Sequence, residues 1–331
     1  MSRFIFTCQP DAVDLTLSEL KKADAALAVI KWLEPGLAVC ETELAFEAFS
    51  AGIKATEPVF LRHICPADLV CAPEELEKIS AFALSRLVPG QSFSVQVRAL
   101  SGYDAAARRA AAEKIGALIE AEGYTSSRSE PDAIISVMLG EEVFYGISAP
   151  EDNLSSWPGG MRRFAKGDST ASRAEFKLLE ALELYGRDLI PGRALDLGAA
   201  PGGWTRVLAE KGFSVTAVDP ANLAPEVLAL KAVTHFKGTS QQYLTEPRGK
   251  FDIIVNDMKL DIPESARVMA ECAGNLSENG IGIMTFKLRP KKWTAQINSG
   301  LSVLTKHYRI VALRQLFHNR SEVTAILAPL E

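Results

Sequence analysis

The sequence predicts two small α+β units over residues 1–70 and 71–150, a linker over 151–165, and a doubly wound α/β domain with a seven-stranded sheet over 166–331. Three observations predict it. Beyond residue 193, apolar runs and helical segments alternate, with strand candidates at 194–199, 214–219, 233–236, 251–257, 280–286, 308–316 and 322–328 and about four helices. A glycine-rich turn, Asp196-Leu-Gly-Ala-Ala-Pro-Gly-Gly-Trp-Thr205, leads from the first of these strands into a helix at 203–211, and Asp219 closes the second strand 21 positions after Gly198. A doubly wound sheet holds a nucleoside with such a turn and a carboxylate about 20 residues on. The stretch 149–166, with Pro150, Pro158, Gly159 and Gly160, reads as a boundary loop.

In chain order, residues 4–8 read as a strand, 12–22 as the single helix of the first unit, and 28–33 and 36–41 as strands around Glu34-Pro35. Strand–helix–strand–strand is the order of a ferredoxin-like unit. In the second unit 73–87 reads as a helix with Leu76, Ile79, Phe82, Ala83 and Leu87 on one face. Residues 92–98 alternate as a half-buried strand, 105–123 read as a helix ending at Gly123, and 131–147 fold back as a hairpin about Gly140-Glu-Glu.

Hydrophobic residues make up 47% of the 331, which is enough for a real core, and no apolar stretch is long enough to span a membrane. The five cysteines (Cys8, Cys40, Cys65, Cys71, Cys272) are odd in number and scattered, with no C-x-x-C pair. Free buried thiols in a cytoplasmic protein are expected, with neither a disulfide framework nor a metal site. The net charge of −5 divides unevenly: residues 1–150 carry 13 basic and 21 acidic side chains, residues 151–331 carry 23 and 20. Basic residues cluster at Arg162, Arg163, Lys166, Arg173 and Lys177, and again at Lys287, Arg289, Lys291 and Lys292. Local potential, not net charge, attracts a phosphate backbone.

The turn narrows the choice of nucleoside. Gly198, Ala200 and Gly203 miss the dinucleotide pattern G-x-G-x-x-G, Pro201 removes an N–H that a pyrophosphate could use, and there is no G-x-x-x-x-G-K-[ST] loop. The glycines let backbone approach a ligand closely, and Asp219 can accept ribose hydroxyls. In such sheets ligands bind at the carboxyl ends of the strands. The fourth strand ends in Asp257 and the fifth in Lys287. If the last strand runs antiparallel, its start brings Glu322 to the same rim. Ahead of the first strand, Ser172-Arg-Ala-Glu175 reads as a capping box, followed by a buried face of Phe176, Leu179 and Leu182, with Lys177 off that stripe.

The motif Asp196-Leu-Gly-x-x-Pro-Gly-Gly-Trp resembles the cofactor loop of the FtsJ-like ribose 2′-O-methyltransferases. Lys177, Asp257, Lys287 and Glu322 match in order and context that family's Lys-Asp-Lys-Glu set, with flanks Asn256-Asp257-Met, Phe286-Lys287-Leu and Asn319-Arg-Ser-Glu322-Val-Thr. The resemblance covers about residues 166–331. Within the family the chain is most similar to the RlmM-type 23S rRNA cytidine 2′-O-ribose methyltransferases, which share the Lys287-Leu-x-Pro-x-Lys and Leu316-Phe-His-Asn-Arg patterns and carry a THUMP module. The hairpin at 131–147 resembles the end of such a module.

That resemblance implies a Rossmann-like domain binding S-adenosyl-L-methionine through Asp196, Gly198, Ala199, Pro201, Gly202, Gly203, Trp204, Asp219 and Asp257. It implies catalysis by Lys177, Asp257, Lys287 and Glu322, with 23S rRNA, free or partly assembled, as partner. On that resemblance Lys287 would act at the ribose hydroxyl, either as an ammonium or as a neutral amine. The sequence departs from related enzymes after the third strand: Lys237-Gly-Thr-Ser-Gln-Gln has no acidic residue for the adenine, leaving Thr239, Ser240, a glutamine or backbone.

Overall fold

The computed structural model describes residues 1–164, 174–246 and 248–330. The chain divides into two compact units, Met1–Arg162 and Arg163–Glu331.

The first unit contains two sheets. Strands Ser2–Thr7, Ala28–Glu34, Leu37–Thr42 and His63–Pro66 form an antiparallel sheet with Ser2–Thr7 between Leu37–Thr42 and His63–Pro66. Two helices, Val13–Ala23 and Phe46–Ala55, alternate with them in a β-α-β-β-α-β order. The second helix corrects the expectation of one. Its signal was present: Phe46, Phe49 and Ile53 recur at helical spacing, and all three are buried. Glu19 in the first helix is buried and accepts hydrogen bonds from the backbone N–H groups of Val59, Phe60 and Leu61, so its charge organises a chain reversal. The second sheet has five strands, with Ser92–Ala99 parallel to Ala133–Leu139 and the latter paired antiparallel with Val143–Ser148 as the hairpin pattern predicts. The helix expected over 73–87 is shorter, Glu77–Leu84, because Pro73 and the turn closed by Glu75 precede it.

In the second unit the elements are α1 (Glu175–Tyr185), β1 (Arg193–Leu197), α2 (Gly203–Glu210), β2 (Ser214–Val218), α3 (Pro225–Leu228), β3 (Val233–Phe236), α4 (Ser240–Leu244), β4 (Phe251–Asn256), α5 (Ile262–Glu271), β5 (Leu276–Lys287), α6 (Trp293–Leu304), β6 (Tyr308–Arg314) and β7 (Glu322–Pro329). All seven strand candidates are strands, and β5 begins earlier than expected, pairing Leu276 with Phe251. Six helices among the described residues replace the four or so expected. The sheet order is β3-β2-β1-β4-β5-β7-β6. Strands β1 to β5 run parallel, and β7 lies antiparallel between β5 and β6.

The sheet is covered on both faces. Ile253 and Val255 join Leu178, Leu182, Val207 and Leu208 of α1 and α2 in one core, while Asn256, on the opposite phase of β4, bonds to Ser265 of α5. Near-continuous apolar strands such as Phe251-Asp-Ile-Ile-Val are the sequence consequence of that double burial. The order reverses between β1 and β4, so a crevice opens at their carboxyl ends.

The buried face of α1 is Leu178, Ala181 and Leu182, not Phe176, Leu179 and Leu182. Leu179 is only partly buried against that core. Phe176 instead stacks on Phe164 at 5.9 Å between centroids and lies 5.3 Å from the His318 ring. Ser172, the expected cap, and the basic residues Lys166 and Arg173 lie outside the described residues. The carboxylate of Glu175 pairs with Arg206 of α2. All five cysteines are buried and free, and no helix among the described residues is long and apolar enough to cross a membrane.

Candidate active site

The crevice beside β1 is a cavity of about 560 Å³. Its floor is the turn after β1. Gly198 has φ +74°, and a Cβ there would lie 2.5 Å from Cγ of Met258 on the facing wall. Gly202, at φ +112°, caps the start of α2 and packs against Val227. Both positions are in the region that favours glycine, which is why the turn reads so plainly in the sequence. Gly198, Ala199, Pro201, Gly203, Trp204, Asp219 and Asp257 all line the cavity.

Two residues expected there do not line it. Gly202 faces away toward α3. Asp196 is 2% exposed beneath the turn, its Oδ2 accepting from Thr205 Oγ1 at 2.6 Å. Burial, together with the nearby Asp257 and Asp219 carboxylates, pushes the Asp196 carboxyl up to about 7 despite the Thr205 bond. In the unfolded chain the same group ionises near 3.8, so the unfolded state releases its proton first as pH rises. Folding therefore loses stability from about pH 4 to about pH 7 on account of this residue. The Asp196→Asn variant is expected to lose less stability than the wild type over that interval, measured by urea unfolding at pH 4.5 and 7.5; parallel changes in the two proteins would refute the assignment.

Asp219 closes the far wall. Its Oδ2 accepts from the Ala200 N–H at 3.0 Å and its Oδ1 from the Ala221 N–H at 2.7 Å. These bonds fix the carboxylate against both the β1 turn and the β2 turn while leaving lone pairs for a ligand. Gly238, Thr239, Ser240 and Gln241 complete that end. The Thr239 hydroxyl accepts from the Gln242 N–H to cap α4.

At the other end stand Lys177, Asp257, Lys287 and Glu322, brought together from α1, the end of β4, the end of β5 and the start of β7. Lys287 and Glu322 are directly paired across the antiparallel β5–β7 ladder, as the antiparallel expectation for the last strand required. Lys177 Nζ lies 3.2 Å from Asp257 Oδ2 and 2.8 Å from Glu322 Oε2. Lys287 Nζ lies 2.8 Å from Glu322 Oε1 and is bonded to Asp257 Oδ1. The four side chains are only 14–22% exposed, so water screens them poorly and their charges act on one another strongly. Burial opposes charge on Lys177, but Asp257 and Glu322 outweigh it and hold the ammonium above the ordinary lysine value. Burial likewise opposes charge on Asp257, and the Lys287 and Lys177 ammoniums outweigh it and hold the carboxyl low. Both groups therefore stay ionised from mildly acidic to mildly alkaline pH.

The sequence reading missed Thr285, whose hydroxyl donates to Asp257 Oδ1. Strand alternation puts it on the same face as Lys287, two residues on, and that signal could have found it. It also missed how α1 is held. Trp204 Nε1 donates to the Ala174 carbonyl at 2.8 Å, Arg206 pairs with Glu175, and Glu180 accepts from the N–H groups of Phe317 and His318 at 2.9 and 3.0 Å. The helix carrying Lys177 is thus tied to the helix of the glycine turn and to the loop leading to Glu322.

Residues 170–315, which carry this fold and site, match the model of the FtsJ-like methyltransferase family. Over 235 residues the chain is 32% identical to the Ribosomal RNA large subunit methyltransferase M of Pseudomonas aeruginosa (strain UCBPP-PA14), covering 65% of this chain and 64% of that protein. It is 34% identical over 216 residues to the protein of the same name from Azotobacter vinelandii, covering 60% and 59%. It is 29% identical over 334 residues to that from Azoarcus sp. (strain BH72), covering 92% and 89%. The first of these alignments spans slightly under two thirds of the relative's length.

Proposed function

We propose that the protein is an S-adenosylmethionine-dependent RNA 2′-O-ribose methyltransferase acting on a cytidine of 23S rRNA, free or partly assembled. One observation carries the reading: Asp257 belongs both to the wall of the cavity and to the four-residue charge cluster. The cavity residues suit the cofactor. Close backbone at Gly198–Gly203 and the anchored Asp219 carboxylate would receive the amino acid and ribose portions, and the side chains of Met258 and Val268 offer an apolar wall. Bound there, S-adenosylmethionine would supply an electrophilic methyl for a ribose oxygen that gives up its proton, with S-adenosylhomocysteine as the leaving group.

The chain's own residues align that oxygen and manage its proton. Alignment can contribute up to about 7–11 kcal/mol. Lys287 stands at the ribose hydroxyl, stabilising developing negative charge or accepting the proton, a role worth about 10²–10⁴-fold. Asp257 and Glu322 orient both lysines, and Lys177, held as an ammonium, keeps the two carboxylates in place. The relatives' name supports an rRNA substrate, and the basic residues about Lys287 support a phosphate-bearing one.

For the first unit we infer a ferredoxin-like module over residues 2–66, from its β-α-β-β-α-β order and antiparallel strand arrangement, followed by a THUMP-like RNA-binding module. Because residues 1–150 are acidic, the module selects RNA by shape or a few contacts. A cytoplasmic location follows from an rRNA substrate.

A labelled-methyl assay with the full-length protein tests the substrate. Protein-free 23S rRNA is expected to take label well above 16S rRNA and tRNA. Equal labelling of all three counts against this choice, and exclusive labelling of tRNA overturns it in favour of a tRNA 2′-O-methyltransferase.

A further inference from the structure

A second cavity, of about 470 Å³, opens on the Lys287 side of the cluster. Lys287, Arg289, Lys291 and Lys292 line it, together with Asp261 and Gln296. Arg289 pairs with Asp261, so that carboxylate is already engaged. Among the described residues no carboxylate lies within ion-pair reach of Lys291 or Lys292.

The backbone here is not relaxed. Lys291 and Lys292 have φ +70° and +55°, a region that residues with a Cβ rarely adopt and that persists only where its surroundings enforce it. Gln296, one turn into α6, is what enforces it. Its Oε1 accepts from the Arg289 N–H at 2.9 Å, and its Nε2 donates to the Arg289 and Lys291 carbonyls at 2.9 and 2.7 Å. Two neighbouring lysines are thus fixed on a strained loop despite their mutual repulsion. An anion in the cavity relieves that repulsion.

The two cavities meet the charge cluster from different sides. Asp257 lines the first, Lys287 the second, and the two side chains touch. With the cofactor in the first cavity, the second is the space left beside Lys287 for the rest of the nucleotide. The backbone charge nearest a ribose 2′-oxygen is the phosphate on the adjacent 3′-oxygen. We propose that the 288–292 loop, latched by Gln296, is a preformed cup for the RNA phosphate on the 3′ side of the target ribose, with Lys291 and Lys292 as its positioning residues. This rests on the reading of the cluster as the site of RNA 2′-O-methylation.

The test is a coupling measurement with the full-length protein. A 23S rRNA transcript is assembled with one uncharged amide linkage in place of the phosphodiester 3′ to the ribose that the wild type modifies, and methyl transfer is compared with the native transcript. For the wild type the neutral linkage is expected to slow transfer about tenfold or more. The K291A/K292A variant is expected to be slow on both transcripts, with less than about a twofold difference between them and unchanged affinity for S-adenosylhomocysteine by calorimetry. Gln296→Ala keeps every charge, and its transfer rate at saturating RNA is expected to fall about tenfold; an unchanged rate overturns the role of the latch. Equal sensitivity of wild type and K291A/K292A to the neutral linkage, or sensitivity of neither, overturns the cup. If the wild type modifies no ribose of the native transcript, the methylation reading itself fails, and the cup with it.

Discussion

Lys287→Ala is expected to lower methyl transfer by about 10²-fold or more while leaving affinity for S-adenosylhomocysteine within about twofold of wild type. Lys287 is the amine that touches both Asp257 and Glu322 and also reaches the second cavity. It does not line the cavity assigned to the cofactor, so binding and chemistry separate at this position. Its backbone pairing with Glu322 is independent of the side chain, and the strand end survives truncation. Removing one cation leaves Lys177 alone between two carboxylates, so under the proposed mechanism the variant loses charge stabilisation at the ribose oxygen as well as any proton acceptor there. Single-turnover rates and calorimetry measure the two quantities. Near wild-type turnover would show that another group meets the hydroxyl.

Asp219→Ala is expected to do the reverse, weakening S-adenosylmethionine binding by about 10- to 100-fold, the scale of losing a charge-assisted hydrogen bond, with a much smaller change in the rate at saturating cofactor. The effect has two sources. The carboxylate is the anchored acceptor at the far wall of the cavity, and it also holds the Ala200 and Ala221 N–H groups that shape the turns on either side. Asp219→Asn keeps one amide oxygen for those N–H groups and is expected to fall between Ala and wild type. Unaltered affinity in Asp219→Ala by calorimetry would place the cofactor elsewhere.

Much of this site was legible because its residues sit where geometry leaves marks in the sequence. Gly198 and Gly202 are glycines because of positive φ, Asp219 and Asp257 follow directly on apolar strands and Lys287 ends one, so the carboxyl edge of the sheet could be read off. Glu322 was legible only through the antiparallel placement of the last strand, which the β5–β7 pairing shows. What the sequence hid was tertiary in origin. Phe176 looks like a core residue by type and spacing, yet aromatic stacking with Phe164 and His318 claims it, and Leu178 takes the core position. Asp196 reads as a ligand residue because it opens the motif, but its side chain turns inward to Thr205. The helix Phe46–Ala55 was overlooked although its apolar spacing is regular, because Gly52 and the short run between turns weaken the local signal. The 288–292 loop shows only a basic run in the sequence. Its positive-φ lysines and the Gln296 latch depend on a side chain folding back from the next helix.

The most direct measurement is nucleoside mass spectrometry of 23S rRNA after incubation with full-length protein and isotopically labelled S-adenosylmethionine, with Lys287→Ala as the paired control. The label is expected in 2′-O-methylcytidine from the wild type and to be nearly absent from the variant. Label on a base, or equal label in 2′-O-methylcytidine from both proteins, would contradict the assignment of this site.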